Sequence, residues 1–172
     1  HPAGAVVRTS SVVSKPAFYA GVKSCNYLPN VLMKKEAVEL GVDFVVSFDA
    51  RGRLAEGSTE NVGIVTKRNE LFFPTLDCVL AGTTMLRVLE LARHLVRAGD
   101  LRKADLAPIS RRAVETAAEM LVVGTTPNVT MVREFDGEPV GDGTPGPVYR
   151  KLSALLLHDI ATNRKLSTRV FK

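Results

Sequence analysis

The sequence predicts a mixed α/β (α+β) fold in one domain, and three observations carry that expectation. Strand-like and helix-like segments alternate along the whole chain, which places sheet and helices in one unit. The 172 residues, 45% hydrophobic and 24% charged, suffice for one substantial core. No repeat, low-complexity segment or internal linker divides the chain, so residues 1–172 are expected to form a single domain.

The elements follow from local pattern. Ala5 to Val13, rich in Val, Ser and Thr, reads as a strand, and Phe18 to Ser24 as a second that ends on Lys23. Leu28 to Leu40 has Leu28, Val31, Leu32, Ala37 and Leu40 at roughly helical spacing, with Gly41 as a C-terminal stop. Asp43 to Asp49 is a short buried strand, and Ala50-Arg51-Gly52-Arg53 a turn. Leu54-Ala55 leads into the polar run Glu56 to Asn61. Val62 to Thr66 and Glu70 to Phe73 form a strand pair around Lys67-Arg68-Asn69. Gly82-Thr83-Thr84 opens a helix through about Ala98, with Leu86, Leu89, Leu91 and Leu95 among its apolar residues. Ser110 caps a helix over Arg111 to Glu119. Met120 to Val123 is a buried strand, Val129 to Phe135 pairs with Pro139-Val140 around Asp136-Gly137-Glu138, and Pro147 to Ala161 is the last helix.

Composition narrows the function. The net charge of +5 is spread over short groups such as Lys34-Lys35 and Arg111-Arg112, without the basic stripe and interleaved aromatics of a nucleic-acid surface. That balance suits a small anionic ligand instead. No apolar run approaches the roughly 20 residues of a membrane span. His1 to Arg8 lacks the order of a secretory signal. Cys25 and Cys78 form no CxxC pair or Cys/His cluster, so they read as reduced thiols and no metal site is expected; the location expected is cytoplasmic.

Four segments hold more polar chemistry than core packing needs. Lys23 follows an apolar, aromatic run, where burying an ammonium costs several kcal/mol unless it is paired or neutralised. A desolvated lysine loses its proton readily and becomes an amine able to form Schiff bases with aldehydes, pyridoxal phosphate among them. Glu56-Gly57-Ser58-Thr59-Glu60-Asn61 is a turn of small and polar residues between apolar strands. Leu80-Ala81-Gly82-Thr83-Thr84 stands at a helix start, where free N–H groups and the helix dipole favour a phosphate. Gly124-Thr125-Thr126 follows a buried strand and offers donors to a phosphate or carboxylate. Taken singly, each also reads as structure: a surface glutamate at Glu56, an N-cap at Thr83, a plain loop at Thr125.

Their order is more specific. Val22-Lys23-Ser24-Cys25-Asn26-Tyr27-Leu28, Glu56 to Asn61, Leu80 to Thr84 and Gly124-Thr125-Thr126 resemble, in order and spacing, the large C-terminal domain of the class IV (fold-type IV) pyridoxal-phosphate aminotransferases. That family includes branched-chain and D-amino-acid aminotransferases and aminodeoxychorismate lyase. Gly141 to Pro147 resembles its loop before the last helix, and Lys23 to Leu32 most resembles plant-type D-amino-acid aminotransferase-like sequences. The resemblance covers nearly the whole chain.

The resemblance implies a pseudo-barrel of strands surrounded by helices, with pyridoxal 5′-phosphate as cofactor. It implies a homodimer acting on amino acids and 2-keto acids. Lys23 becomes the Schiff-base lysine and the proton shuttle between substrate Cα and cofactor C4′, and Tyr27 a donor to the phenolate oxygen. Glu56 pairs with the pyridine nitrogen, Asn61 lines the cleft and Leu80 packs on the ring. Thr83 and Thr84 hold the phosphate, Thr125 reaches the phosphate region, and Thr126 lies near the substrate carboxylate. The chain departs from the family at Thr83, usually Ile, and at Met85, often Arg. A backbone N–H serves a phosphate whatever the side chain. The family's N-terminal small domain, which supplies a phosphate-binding arginine, is expected to be absent from this chain. The functions expected are transamination, elimination of the aminodeoxychorismate lyase type, or, from another class, a catalytically incomplete domain serving folding or oligomerisation.

Overall fold

In a computed structural model, which describes residues 3–166 and 168, the strands of the described residues form one nine-stranded sheet. The strands are β1 (Ala5–Thr9), β2 (Phe44–Phe48), β3 (Leu54–Gly57), β4 (Asn61–Val65), β5 (Glu70–Phe73), β6 (Lys103–Leu106), β7 (Glu119–Gly124), β8 (Asn128–Phe135) and β9 (Glu138–Pro139). The helices are α1 (Ala17–Ala20), α2 (Leu28–Glu39), α3 (Thr83–Arg97), α4 (Arg111–Glu115) and α5 (Pro147–Thr162). The order is β3-β2-β1-β8-β7-β4-β5-β6, with β9 on β8. Because β3 also pairs with β4, placing Glu56 opposite Asn61, the strands from β3 round to β4 close into a ring, and β5 and β6 extend from it. This is the pseudo-barrel that the resemblance implied.

Period-two alternation sets the two layers of core. Val62 and Ile64 of β4, Met120 and Val122 of β7, and Val7 of β1 meet in one buried cluster with Val46 and Leu54. Leu121 and Val123, the intervening residues of β7, join Leu71 and Phe73 under α3 and α5. Both faces of β7 are therefore covered, which explains its unbroken apolar sequence. Helix α3 contributes Met85, Val88, Leu89, Ala92 and Leu95, an i, i+3, i+4 stripe. Pro147 starts α5 at a position where its missing N–H costs nothing. The buried Glu119 carboxylate accepts the next amides of that helix, Val148 N–H at 2.9 Å and Tyr149 N–H at 2.7 Å. Two parallel crossovers complete the frame: β1 to β2 through α1 and α2, and β5 to β6 through α3.

Several expectations need correction. Phe18 to Ser24 is not a strand: Pro16 precedes the single-turn helix α1, and the chain then runs as loop through Lys23. No described strand partners this segment, and Phe18 and Tyr19 are exposed. Lys23 itself is exposed, so it is not the desolvated lysine expected from its apolar neighbours. Helix α2 forms almost where predicted, and Gly41 just beyond it has φ +66°, the left-handed conformation that a stop requires. Its buried face is Asn30, Met33 and Ala37, however, while Leu28, Val31 and Leu32 point outward. Ser110 caps α4 as expected, its hydroxyl accepting the Ala113 N–H, but the helix stops at Glu115 because Glu119 already belongs to β7. Strand β6 escaped the sequence reading; its alternating exposed and half-buried residues carry only a weak apolar signal. His1 and Pro2, read in the sequence, lie outside the described residues. No helix among the described residues is long and apolar enough to cross a membrane.

Arg87 of α3 and Asp159 of α5 tie the outer helices together. Arg87 Nε donates to Asp159 Oδ2 at 2.7 Å, a second guanidinium nitrogen donates to Oδ1, and Asn163 donates to the same carboxylate. These donors, the guanidinium first, hold the Asp159 carboxyl at about 2, below its ordinary 3.8. A depressed folded-state value means a contribution that is complete above the unfolded value and fades as pH falls through the folded one. Unfolding midpoints in urea should therefore decline between about pH 4 and about pH 2. Asp159→Asn should lower the midpoint near neutrality and flatten that decline.

Candidate functional site

At one end of the ring, the β3–β4 turn, the loop before α3, the end of β7 and the segment from Lys15 to Asn30 enclose a cavity of about 320 Å³. Its lining includes Lys23, Tyr27, Glu56, Asn61, Leu80, Thr83, Thr84 and Thr125, so residues from all four sequence segments converge. Thr126 stands on the exposed turn between β7 and β8, beside Thr125 but outside the lining. Glu56 and Asn61 are buried, whereas Lys23, Tyr27, Thr83 and Thr125 are exposed at the rim.

The buried part is organised around the backbone of one residue, Leu80. Glu56 and Asn61 face each other across the first rung of the β3–β4 pair. Glu56 Oε2 accepts the Leu80 N–H at 2.9 Å, and Asn61 Nδ2 donates to the Leu80 carbonyl at 2.9 Å. The Leu80 backbone is thus gripped at both its donor and its acceptor by neighbouring strand residues. The same carbonyl accepts the Gly82 N–H at 2.8 Å, a tight turn that delivers the chain into α3. Gly82 is the N-cap of α3 and no side chain caps the helix, so its first-turn amides open toward the space that Thr83 and Thr84 line. The expectation that Thr83 caps the helix is corrected: it is the first helical residue. A Cβ on Gly82 would stand 2.0 Å from Asn61 Oδ1, which explains the glycine by space rather than by φ.

Other lining residues were not singled out from the sequence. Lys15, in the loop after β1, places its ammonium 3.1 Å from Glu56 Oε1. Asn30, on the buried face of α2, donates to the Ser58 carbonyl and so braces the β3–β4 turn. Glu60 folds back onto its own turn, accepting from the Ser58 hydroxyl at 3.2 Å and the Thr59 N–H at 3.0 Å. A buried polar residue at a helix position otherwise expected to be apolar was the available signal for Asn30; Lys15 left none. The thiols are free, Cys25 exposed and Cys78 buried beside the site, where burial pushes its thiol up.

Chemically, the cavity has two poles. The Glu56 carboxylate suits a protonated ring nitrogen, and the open α3 N-terminus suits a phosphate. Leu80, tied to Glu56, and Thr83, at the helix start, are three residues apart. That spacing holds the poles within about 10 Å of each other, the reach of three extended residues.

Comparison with known proteins places the chain in a family. Residues 2–135 match the family model described as Amino-transferase class IV. The chain is 38% identical over 161 residues to the chloroplastic D-amino-acid transaminase of Arabidopsis thaliana, covering 93% of this chain and 43% of that protein. It is 30% identical to the D-alanine aminotransferase of Bacillus licheniformis, covering 81% and 47% respectively. A T.th. branched-chain amino acid aminotransferase solved with pyridoxamine 5′-phosphate superposes with a TM-score of 0.85 at 31% identity, over 95% of this chain and 53% of that one. The chain spans less than half the length of these two curated relatives.

Gly82→Ala should force Asn61 off the Leu80 carbonyl. The Leu80 carbonyl keeps the Gly82 N–H, but the buried Asn61 amide loses its acceptor. A buried donor left unpaired costs about 1–3 kcal/mol, which urea unfolding of the variant should register. The amide signals of Leu80 and Thr83 should move in the same variant, while those of α5 stay in place.

Proposed function

The chain belongs to the class IV aminotransferases, and we propose that it is the cofactor-binding part of a pyridoxal 5′-phosphate-dependent transaminase. On this reading it moves an amino group between an amino acid and a 2-keto acid. One observation carries the reading: a single cavity holds a lysine at its rim, a buried carboxylate at its floor and an uncapped helix N-terminus at its far wall.

The residues present fit the cofactor. The donor set matches its two charged ends: the buried Glu56 carboxylate at one, and at the other a helix start that no side chain caps. Pyridoxal 5′-phosphate, when bound, supplies an aldehyde for an amine and a ring that accepts electrons from the substrate carbon. Glu56 would pair with the ring nitrogen and favour its protonated form, which keeps the ring electron-accepting. Tyr27 would donate to the phenolate oxygen and Leu80, held by Asn61, would pack on the ring. Thr83 and Thr84 would offer amides and hydroxyls to the phosphate, together with Thr125; Thr125 would also reach the substrate carboxylate, with Thr126 beside it just outside the lining.

Lys23 has the central chemical role. Its amine would hold the cofactor aldehyde, and as a free amine it would move the proton between substrate Cα and cofactor C4′ as general base and acid. Exposure at the rim leaves Lys23 free to swing between these two tasks. The outward Leu28, Val31 and Leu32 of α2 support a homodimer as the working assembly, since a run of exposed apolar residues favours a covering partner.

Borohydride treatment with pyridoxal 5′-phosphate should attach the reduced cofactor to the peptide containing Lys23, read by mass spectrometry. Lys23→Ala should abolish that label and leave the fold intact. A colourless, unlabelled wild-type chain, or a label that survives in Lys23→Ala, would sink the reading. In a labelled wild type, Glu56→Gln should bind cofactor about tenfold more weakly, the scale of one charge-assisted hydrogen bond.

A further inference from the structure

We infer that Lys15 is a positioning residue for Glu56, and through it for the ring end of the cofactor; the inference rests on the cofactor reading above. The Glu56 carboxylate has two oxygens, and each has one partner in the fold. Oε2 takes the Leu80 N–H, and Oε1 takes the Lys15 ammonium at 3.1 Å.

The Lys15–Glu56 contact is no ordinary surface pair. The two side chains are 23% and 11% exposed. At that burial water screens the pair little, and removing one member leaves a charge poorly compensated. Other charged groups in the cavity are engaged elsewhere or stand apart from it. Glu60 is held by Ser58 and Thr59, and Lys23 sits at the exposed rim. Lys15 is therefore the cation that holds this carboxylate in place.

Two restraints on one carboxylate fix its rotation. A single hydrogen bond to Oε2 would let the group turn about its terminal torsion, which is broad for glutamate. With Oε1 anchored as well, its remaining lone pair points in one direction. A ring N–H then meets a preset acceptor, and the cost of ordering it has already been met by the fold. Lys15 thus acts on the cofactor only through Glu56.

Lys15 lies in a loop with a partly exposed side chain, so its replacement leaves the core untouched. Lys15→Met and Lys15→Arg would be compared with wild type in two measurements. In the chain without cofactor, Lys15→Met should shift and broaden the Leu80 amide resonance, and Lys15→Arg should leave it near wild type. Titrated with pyridoxal 5′-phosphate, Lys15→Met should bind about tenfold more weakly, while Lys15→Arg stays within about threefold. Rescue by arginine separates a charge-borne role from mere filling of space. An unmoved Leu80 amide in Lys15→Met overturns the inference, as does undiminished affinity. A wild-type chain that takes up no cofactor would defeat the functional reading instead, and the Leu80 amide alone would then decide whether Lys15 positions Glu56.

Discussion

The site depends on the grip of Glu56 and Asn61 on the Leu80 peptide. These two side chains belong to the rung that joins β3 to β4, and that rung also closes the ring of strands. Closure of the sheet and placement of the loop before α3 are thus one event. A loop at the end of a barrel would ordinarily move on its own, since its backbone has no ladder to join. Here its N–H and C=O are both paired to a strand pair whose other atoms are locked in the sheet. Helix α3, which begins just beyond Gly82, inherits that precision at its first turn.

The chain spreads the cost of this arrangement. A buried carboxylate is expensive unless it is hydrogen-bonded and paired. Glu56 meets both conditions through Leu80 and Lys15, and Glu119 solves the same problem at the other end of the barrel with the first amides of α5. Both carboxylates sit among strands with apolar neighbours on either side. One of them serves only to seat a helix. The other has a cavity in front of it, and that difference is what makes Glu56 the candidate for a functional acid.

The fold was legible where period and punctuation agreed. Helix α3 showed its stripe, Gly41 its stop, and β7 its double burial as a plain apolar run. It was illegible where tertiary contacts overrode the local pattern. Phe18 and Tyr19 look like strand residues, but no neighbouring described strand accepts them, and Pro16 favours a helical turn instead. In α2 the obvious leucines and valines turn outward, and Asn30 turns inward because the Ser58 carbonyl needs a donor. In the site, the segments recognisable by small and polar residues converged on the cavity. Lys15 did not announce itself, because its partner Glu56 lies far along the chain, beyond α2 and β2. A pairing of that range leaves no trace in local composition.

The order of polarity along the cavity gives the clearest physical reason why these pieces belong together. Negative charge is concentrated at Glu56 and partial positive charge at the start of α3. The short link from Leu80 to Thr83 limits their separation. Uniform polarity would bind many small anions or cations without orienting them. Opposite poles at a bounded spacing select a molecule with a cationic ring atom at one end and a phosphate at the other, and seat it one way round. Lys23 stands exposed on the lining of the same cavity. For the role proposed for Lys23 an exposed position is an advantage, since a rim side chain can move without disturbing the buried frame.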